Sequence, residues 1–207
     1  MTNIKAALNA AHTRYIAHSP HLKFRGRYPA GRITHRRSGT KRSSPSQWHR
    51  ELGLKRGGKS YACHPNSAYI VENSYYVTDE AGRVEYVFGL YVKNSKADRH
   101  LYQQSRVGKL AGKGYHGGHL IRSANGGSGQ AINMVPMAAA INATNGTWGR
   151  MEAELANDLS KMSTPLAVEI SISYPDSSSL VPASFSVNAY ANGINAPPHK
   201  TFAIPNC

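Results

Sequence analysis

Apolar positions recur along this chain with two different periods. Ala68–Val77 and Val84–Val92 are short runs rich in Tyr, Val, Ile and Phe, separated by Asp79-Glu80-Ala81-Gly82. Such residues suit a packed, pleated surface, and the turn residues between the runs predict a β-hairpin. Farther on, Val168, Ile170, Ile172 and Tyr174 alternate with Glu169, Ser171 and Ser173, and Phe185, Val187 and Ala189 repeat the alternation after a loop from Pro175 to Pro182. This predicts a second hairpin of half-buried strands. Between the hairpins, Trp148, Met151, Leu155, Leu159 and Met162 follow one another at spacings of three or four, the stripe of an amphipathic helix from about 147 to 162. Ile4–Ala11 reads as a short helix, Lys93–Gly114 as a polar connection, and the tail from Ala196 as irregular; no internal repeat is visible.

The polar chemistry concentrates in residues 115–152. Gly117-Gly118 before His119 predicts a sharp turn into a strand that begins at His119 and continues through Leu120 and Ile121. Asn133-Met134-Val135-Pro136 reads as a second strand across the loop Asn125–Gln130, and Met137–Asn142 as a turn or two of helix. A strand, loop, strand and helix in that order can bring Asn142 close to His119. An imidazole titrates near neutral pH and suits a general base, although a buried, hydrogen-bonded core histidine is the ordinary alternative. The amide oxygen of Asn142 suits Mg²⁺, an ion that keeps most of its water, and its position equally suits a helix C-terminus. Glu152, beside the apolar stripe, is either a first-turn carboxylate on the helix dipole or a group held toward a site.

Taken together, these residues resemble the DNA/RNA non-specific endonuclease family, a branch of the ββα-metal or His-Me finger nucleases. That family carries an Asp-Arg-Gly-His-type motif, then Asn-x-x-Pro-Gln, then an asparagine, then a tryptophan followed four positions later by glutamate. The counterparts here are His116-Gly117-Gly118-His119, Asn133-Met134-Val135-Pro136-Met137, Asn142, and Trp148 with Glu152. The likeness covers residues 68 to 175, about half of the chain. It implies that His119 is the general base, that Asn142 holds one divalent ion (Mg²⁺ or another such as Mn²⁺), and that Glu152 orients water on that ion. By the same resemblance Asn133 supports either the loop or the metal shell. A phosphate-bracing arginine is expected among Arg99, Arg106 and Arg122, with Arg122 nearest to His119 in sequence. The departures are His116 for aspartate, Met137 for glutamine, and a longer interval before Trp148, which makes Asn145 a competitor for Asn142.

Charge adds a second division. The chain has a formal net charge of +14, and residues 1–60 hold 14 Lys and Arg against the single acid Glu51. This predicts a basic, loosely structured leader over 1–60, punctuated by Gly and Pro and suited to polyanions, ahead of a domain over 61–207 with its ββα core at about 115–162. The two cysteines, Cys63 and Cys207, flank that domain; a bridge between its ends is possible, but the pair specifies neither a disulfide framework nor a zinc quartet. The apolar start is too short for a membrane span or a secretory signal.

The expected fold is therefore α+β, an antiparallel sheet carrying a ββα-metal finger and an amphipathic helix. The expected function is metal-dependent, sequence-tolerant hydrolysis of DNA and/or RNA. The Gly-Gly-His-Leu-Ile run followed by a glycine loop is especially similar to toxin domains of bacterial polymorphic and contact-dependent systems. That implies a delivered effector acting in a target-cell cytoplasm and a cognate immunity protein as partner. Two other readings stay open: a basic nucleic-acid-binding protein with a decayed site, suggested by His116 and Met137, and a zinc pair formed by His116 and His119. Tyr115 is a core residue or a base-stacking one.

Overall fold

A computed structural model describes residues 4–19, 21–28, 63–93, 95 and 101–207. The chain folds as α+β. The elements in order are α1 (Ile4–His18), β1 (Lys23–Tyr28), β2 (Ser67–Val71), β3 (Ser74–Thr78), β4 (Val84–Tyr91), α2 (Leu101–Lys109), β5 (Tyr115–His119), β6 (Met134–Ala138), α3 (Ala139–Asn142), α4 (Thr147–Lys161), β7 (Leu166–Ser173), β8 (Ser184–Tyr190) and β9 (Lys200–Pro205). Seven strands form one sheet in the order β1-β2-β3-β4-β7-β8-β9, while β5 and β6 make a separate two-stranded ribbon. All pairings are antiparallel except β1 with β2.

The sheet is covered on two sides, which explains why its central strands read as continuous apolar runs. One face, with Tyr69, Val71, Tyr76, Val87 and Tyr91, packs against Leu120, Ile121, Met137 and the stripe of α4. The other, with Ile70, Tyr75, Val77, Phe88 and Leu90, packs against Leu8 and Ala11 of α1. Trp148 is fully buried and meets Phe185 edge-on, ring centroids 4.9 Å apart; burying a side chain of that size stabilises the fold by roughly 3 kcal/mol or more. β7 keeps the predicted alternation, with Val168, Ile170 and Ile172 buried and Ser171 and Ser173 exposed.

Four expectations change. The Ala68–Val77 run is two strands folded on Glu72-Asn73, with Glu72 in left-handed backbone at φ 53°; a non-glycine residue there is uncommon, so no glycine marked the turn. The short helix expected at Ile4–Ala11 is α1 and continues to His18, and the leader expected to be loose contributes β1, which extends the sheet; residues 29–62 lie outside the described residues. The polar connection before the motif contains α2. The irregular tail ends in edge strand β9 and then Asn206, whose buried amide accepts from Ala138 N at 2.8 Å and donates to Pro136 O and Pro182 O at 3.1 and 2.9 Å. The bridge that the sequence left open between Cys63 and Cys207 is not formed: Cys63 is buried, its thiol pushed up to about 12 by burial, and Cys207 is exposed.

Candidate active site

The strand bearing His119 ends at that residue instead of starting there. Gly117 and Gly118 lie inside β5, opposite Pro136 and Val135. Glycine is required for a packing reason: a Cβ on Gly117 would run into the backbone carbonyl of Gln104, so α2 can lie directly across the strand. Strand β6 likewise runs through Pro136 to Ala138, and the helix after it shortens to the single turn of α3.

After β5 the chain makes a loop whose backbone is held by one side chain. Asn133 is fully buried. Its Oδ1 accepts from Ile121 N at 2.9 Å, and its Nδ2 donates to Ile121 O and Ser128 O, both at 2.8 Å. The loop closes further through Gly127 N to Arg122 O at 3.1 Å, and a Cβ on Gly127 would collide with the Ile121 carbonyl. This clasp presents Arg122 and Ser123 beside His119. Asn133 is therefore a backbone clamp, and its expected place among the metal ligands is corrected: its amide is committed to the loop and does not line the cleft.

A cleft of about 530 Å³ lies between this loop and the helices, lined by Ser95, Gln104, His119, Arg122, Ser123, Ala124, Asn142, Thr144, Gly149, Glu152 and Ala153. It brings together His119, Arg122, Asn142 and Glu152. His119 is 7 % exposed, and Arg122, Asn142 and Glu152 are half-buried. Asn142 is the last residue of α3, the helix C-terminal position read for it, and it lines the cleft. Beneath the cleft, burial pushes the Tyr91 phenol up, reinforced by the Glu152 carboxylate and opposed by Arg122, which keeps this hydroxyl neutral.

Other candidates fall outside. Asn145 is exposed, absent from the cleft, and its carbonyl accepts from Arg150 at 2.6 Å. His116 is exposed and lines a neighbouring groove; at three residues' distance along a strand, His116 and His119 project to opposite faces, which removes the zinc pair. Arg106 stands over the Tyr102 ring, 5.4 Å from its centroid. Tyr115 packs on the core and borders the groove with His116. Arg99 lies outside the described residues.

Several lining residues were missed by the sequence reading. Gly149 and Ala153 lie three before and one after the already expected Glu152 on one side of the helix, so α4 presents its core face through Trp148, Met151 and Leu155 and its cleft face through Gly149, Glu152 and Ala153. Ser95, Gln104 and Thr144 arrive from separate segments with no local signal.

A sequence model of DNA/RNA non-specific endonucleases matches residues 65–193. The chain belongs to the DNA/RNA non-specific endonuclease family. Among solved structures, this endonuclease-family chain is similar to NucA from Streptococcus agalactiae with no metal bound, at 16 % identity and a TM-score of 0.49, covering 65 % of this chain and 71 % of that one. NucA with magnesium bound aligns at 14 % identity and 0.48, covering 66 % and 73 %. Sda1 nuclease with bound zinc ion aligns at 13 % and 0.46, covering 64 % and 75 %.

The cleft's donors can be tested against a divalent ion directly. Asn142 offers an amide oxygen, Glu152 a carboxylate, and Ser95, Ser123 and Thr144 hydroxyls, with no cysteine in the lining. These are hard oxygen donors, few enough to leave several positions to water, which fits Mg²⁺ or Mn²⁺.

Proposed function

We propose that this chain is a metal-dependent endonuclease that hydrolyses phosphodiester bonds of DNA and/or RNA with little sequence preference. The observation that carries the reading is the convergence of His119, Arg122, Asn142 and Glu152 on one cleft. His119 takes the proton from the attacking water through its imidazole. Arg122 reaches the cleft from the clasped loop, and its planar fork matches the non-bridging oxygens of the phosphate and fixes the diester in line. Glu152, held on a rigid helix, orients water through its carboxylate, while Asn142 offers its amide oxygen to the ion. When bound there, a divalent cation supplies Lewis-acid stabilisation of the charge that builds on the phosphate and the departing oxygen. Small residues at Gly149 and Ala153 leave room for the substrate backbone beside Glu152.

Use of this activity as an antagonistic toxin, delivered to a target-cell cytoplasm and neutralised by a cognate immunity protein, is the part of the proposal that rests on the resemblance of the Gly-Gly-His-Leu-Ile run. No helix among the described residues is long and apolar enough to cross a membrane.

The test is digestion of plasmid DNA and total RNA by wild type and His119→Ala, each with Mg²⁺ and with EDTA. Degradation by wild type with Mg²⁺ alone, absent in the variant, is expected. Intact substrate under every divalent ion, with nucleic-acid binding preserved, would replace this reading with a binding protein whose site has decayed.

A further inference from the structure

Next to the catalytic cleft lies a second depression, a groove of about 430 Å³ lined by Leu101, Gln104, Ser105, Gly108, Lys109, Gly112, Tyr115, His116 and Gly117. Gln104 lines both, so groove and cleft meet at the crossing of α2 over β5. Three observations about this groove are independent of the catalytic residues. First, the two most exposed large apolar side chains among the described residues, Leu101 at 70 % and Tyr102 at 69 %, are consecutive at the start of α2, and Leu101 lines the groove. Second, Arg106 lies against the Tyr102 ring, 5.4 Å from its centroid, and Lys109 and His116 edge the groove itself. Third, the sequence carries no Asp or Glu from 99 to 151, against six Lys and Arg, and every residue that lines the groove is neutral or basic.

We propose that this groove is a strand subsite, holding a nucleotide that flanks the one in the cleft. Its phosphate lies at Lys109 and His116, and its base stacks at the Leu101 and Tyr102 rim. An aromatic ring with a cation beside it, bordering a basic channel, is how unpaired bases are bound without sequence choice. The occupant is therefore a single-stranded nucleic acid, since a base-paired nucleotide keeps its faces inside the stack. This inference rests on the nuclease reading for the direction of the strand, but its test does not need cleavage.

The test uses the full chain in EDTA with a fluorescein-labelled 12-nucleotide single-stranded DNA and its duplex, read by anisotropy at 0.15 M salt. Tyr102→Ala and Lys109→Ala together are expected to weaken single-strand binding about tenfold, within the range for losing one stacked base and one phosphate contact. Tyr102→Phe keeps the ring and stays within about twofold of wild type, and duplex binding moves less than single-strand binding. Because the basic residues 29–62 also attract the oligonucleotide, a bromodeoxyuridine-substituted strand is photo-crosslinked in parallel and the adduct mapped by mass spectrometry. An adduct on the Leu101–Lys109 peptide supports the groove. Unchanged affinity in the double variant together with adducts confined elsewhere overturns it, even if wild type cleaves plasmid with Mg²⁺. Conversely, loss of binding in the variant with no cleavage by wild type upholds the groove while the catalytic reading falls.

Discussion

Two clefts of nearly equal size open on this protein, about 530 Å³ at His119 and about 580 Å³ beside the Asp79 turn. Their chemistry is opposite. The second is lined by Asp79, Glu80, Glu85 and Asp176, four of the chain's eleven acids. Asp79 accepts from Ala81 N and Arg83 N at 3.0 and 2.8 Å and pairs with the Arg83 guanidinium at 2.6 Å. Asp176 caps Ser178 N and Ser179 N at 2.7 and 2.8 Å, and Glu85 accepts from Tyr15 at 3.3 Å. Burial, reinforced by Asp79, raises the Glu85 carboxyl. Asp79 and Asp176 hold turns together, and the four carboxylates would repel a phosphate. The first cleft has one carboxylate, Glu152, together with Arg122, and most of its lining comes from the acid-free stretch 99–151. Volume alone does not mark a site; the sign of the charge and what each polar group is already bonded to do.

The comparison breaks most sharply at His119. His119→Ala is expected to lower kcat on plasmid DNA about a thousandfold, the scale of a lost general base, with an unchanged circular dichroism spectrum. Wild-type kcat in that variant would remove the first cleft from the chemistry. Asn142→Ala is expected to cost on the order of a hundredfold and to raise the Mg²⁺ concentration needed for half-maximal rate, read in a metal titration; an unshifted titration curve would move the ion elsewhere. The second cleft should answer in stability alone. Arg83→Ala removes a nearly buried ion pair and two bonds to the carbonyls of Asp176 and Ser179 at 2.6 and 2.7 Å, so urea unfolding should show a loss of about 2 kcal/mol at unaltered kcat.

The smallest effect concerns acid titration of a third cluster. Burial acts to raise the Asp158 carboxyl, but Lys200 at 2.7 Å and His199 at 3.2 Å outweigh it and hold the group below the ordinary carboxylate range. A folded-state value below the unfolded one means that this contribution is present above about pH 4 and fades as pH falls through the depressed value. Asp158→Asn should therefore lower stability at pH 7 by under about 1 kcal/mol and converge with wild type near pH 2. Parallel Tm curves down to that pH would show the pair to be inert.

The chemistry-bearing residues were legible because their constraints are local. A helix places Trp148 and Glu152 one turn apart whatever surrounds it, and alternation along β7 depends only on which face is buried. Asn133 was legible as a polar residue at a motif position but not in its role, because whether an amide oxygen meets a metal or a backbone N–H depends on how the loop after β5 folds back. The same limit hid α1's packing and β1's pairing, since neither a weakly amphipathic helix nor a basic six-residue strand shows its partner in its own composition.

The sequence by itself therefore determined the presence of the helix and strands around the motif, though not their bounds, the candidates His119, Asn142 and Glu152, and the family resemblance. Only the tertiary structure decided that Arg122 and not Arg106 lines the cleft, that Asn145 and His116 stand outside it, and that Asn133 and Asn206 hold its strands. Those outcomes depend on contacts between segments far apart in the chain, where α2 crosses Gly117 and the tail reaches β6, and no periodicity records which distant backbone a side chain will meet.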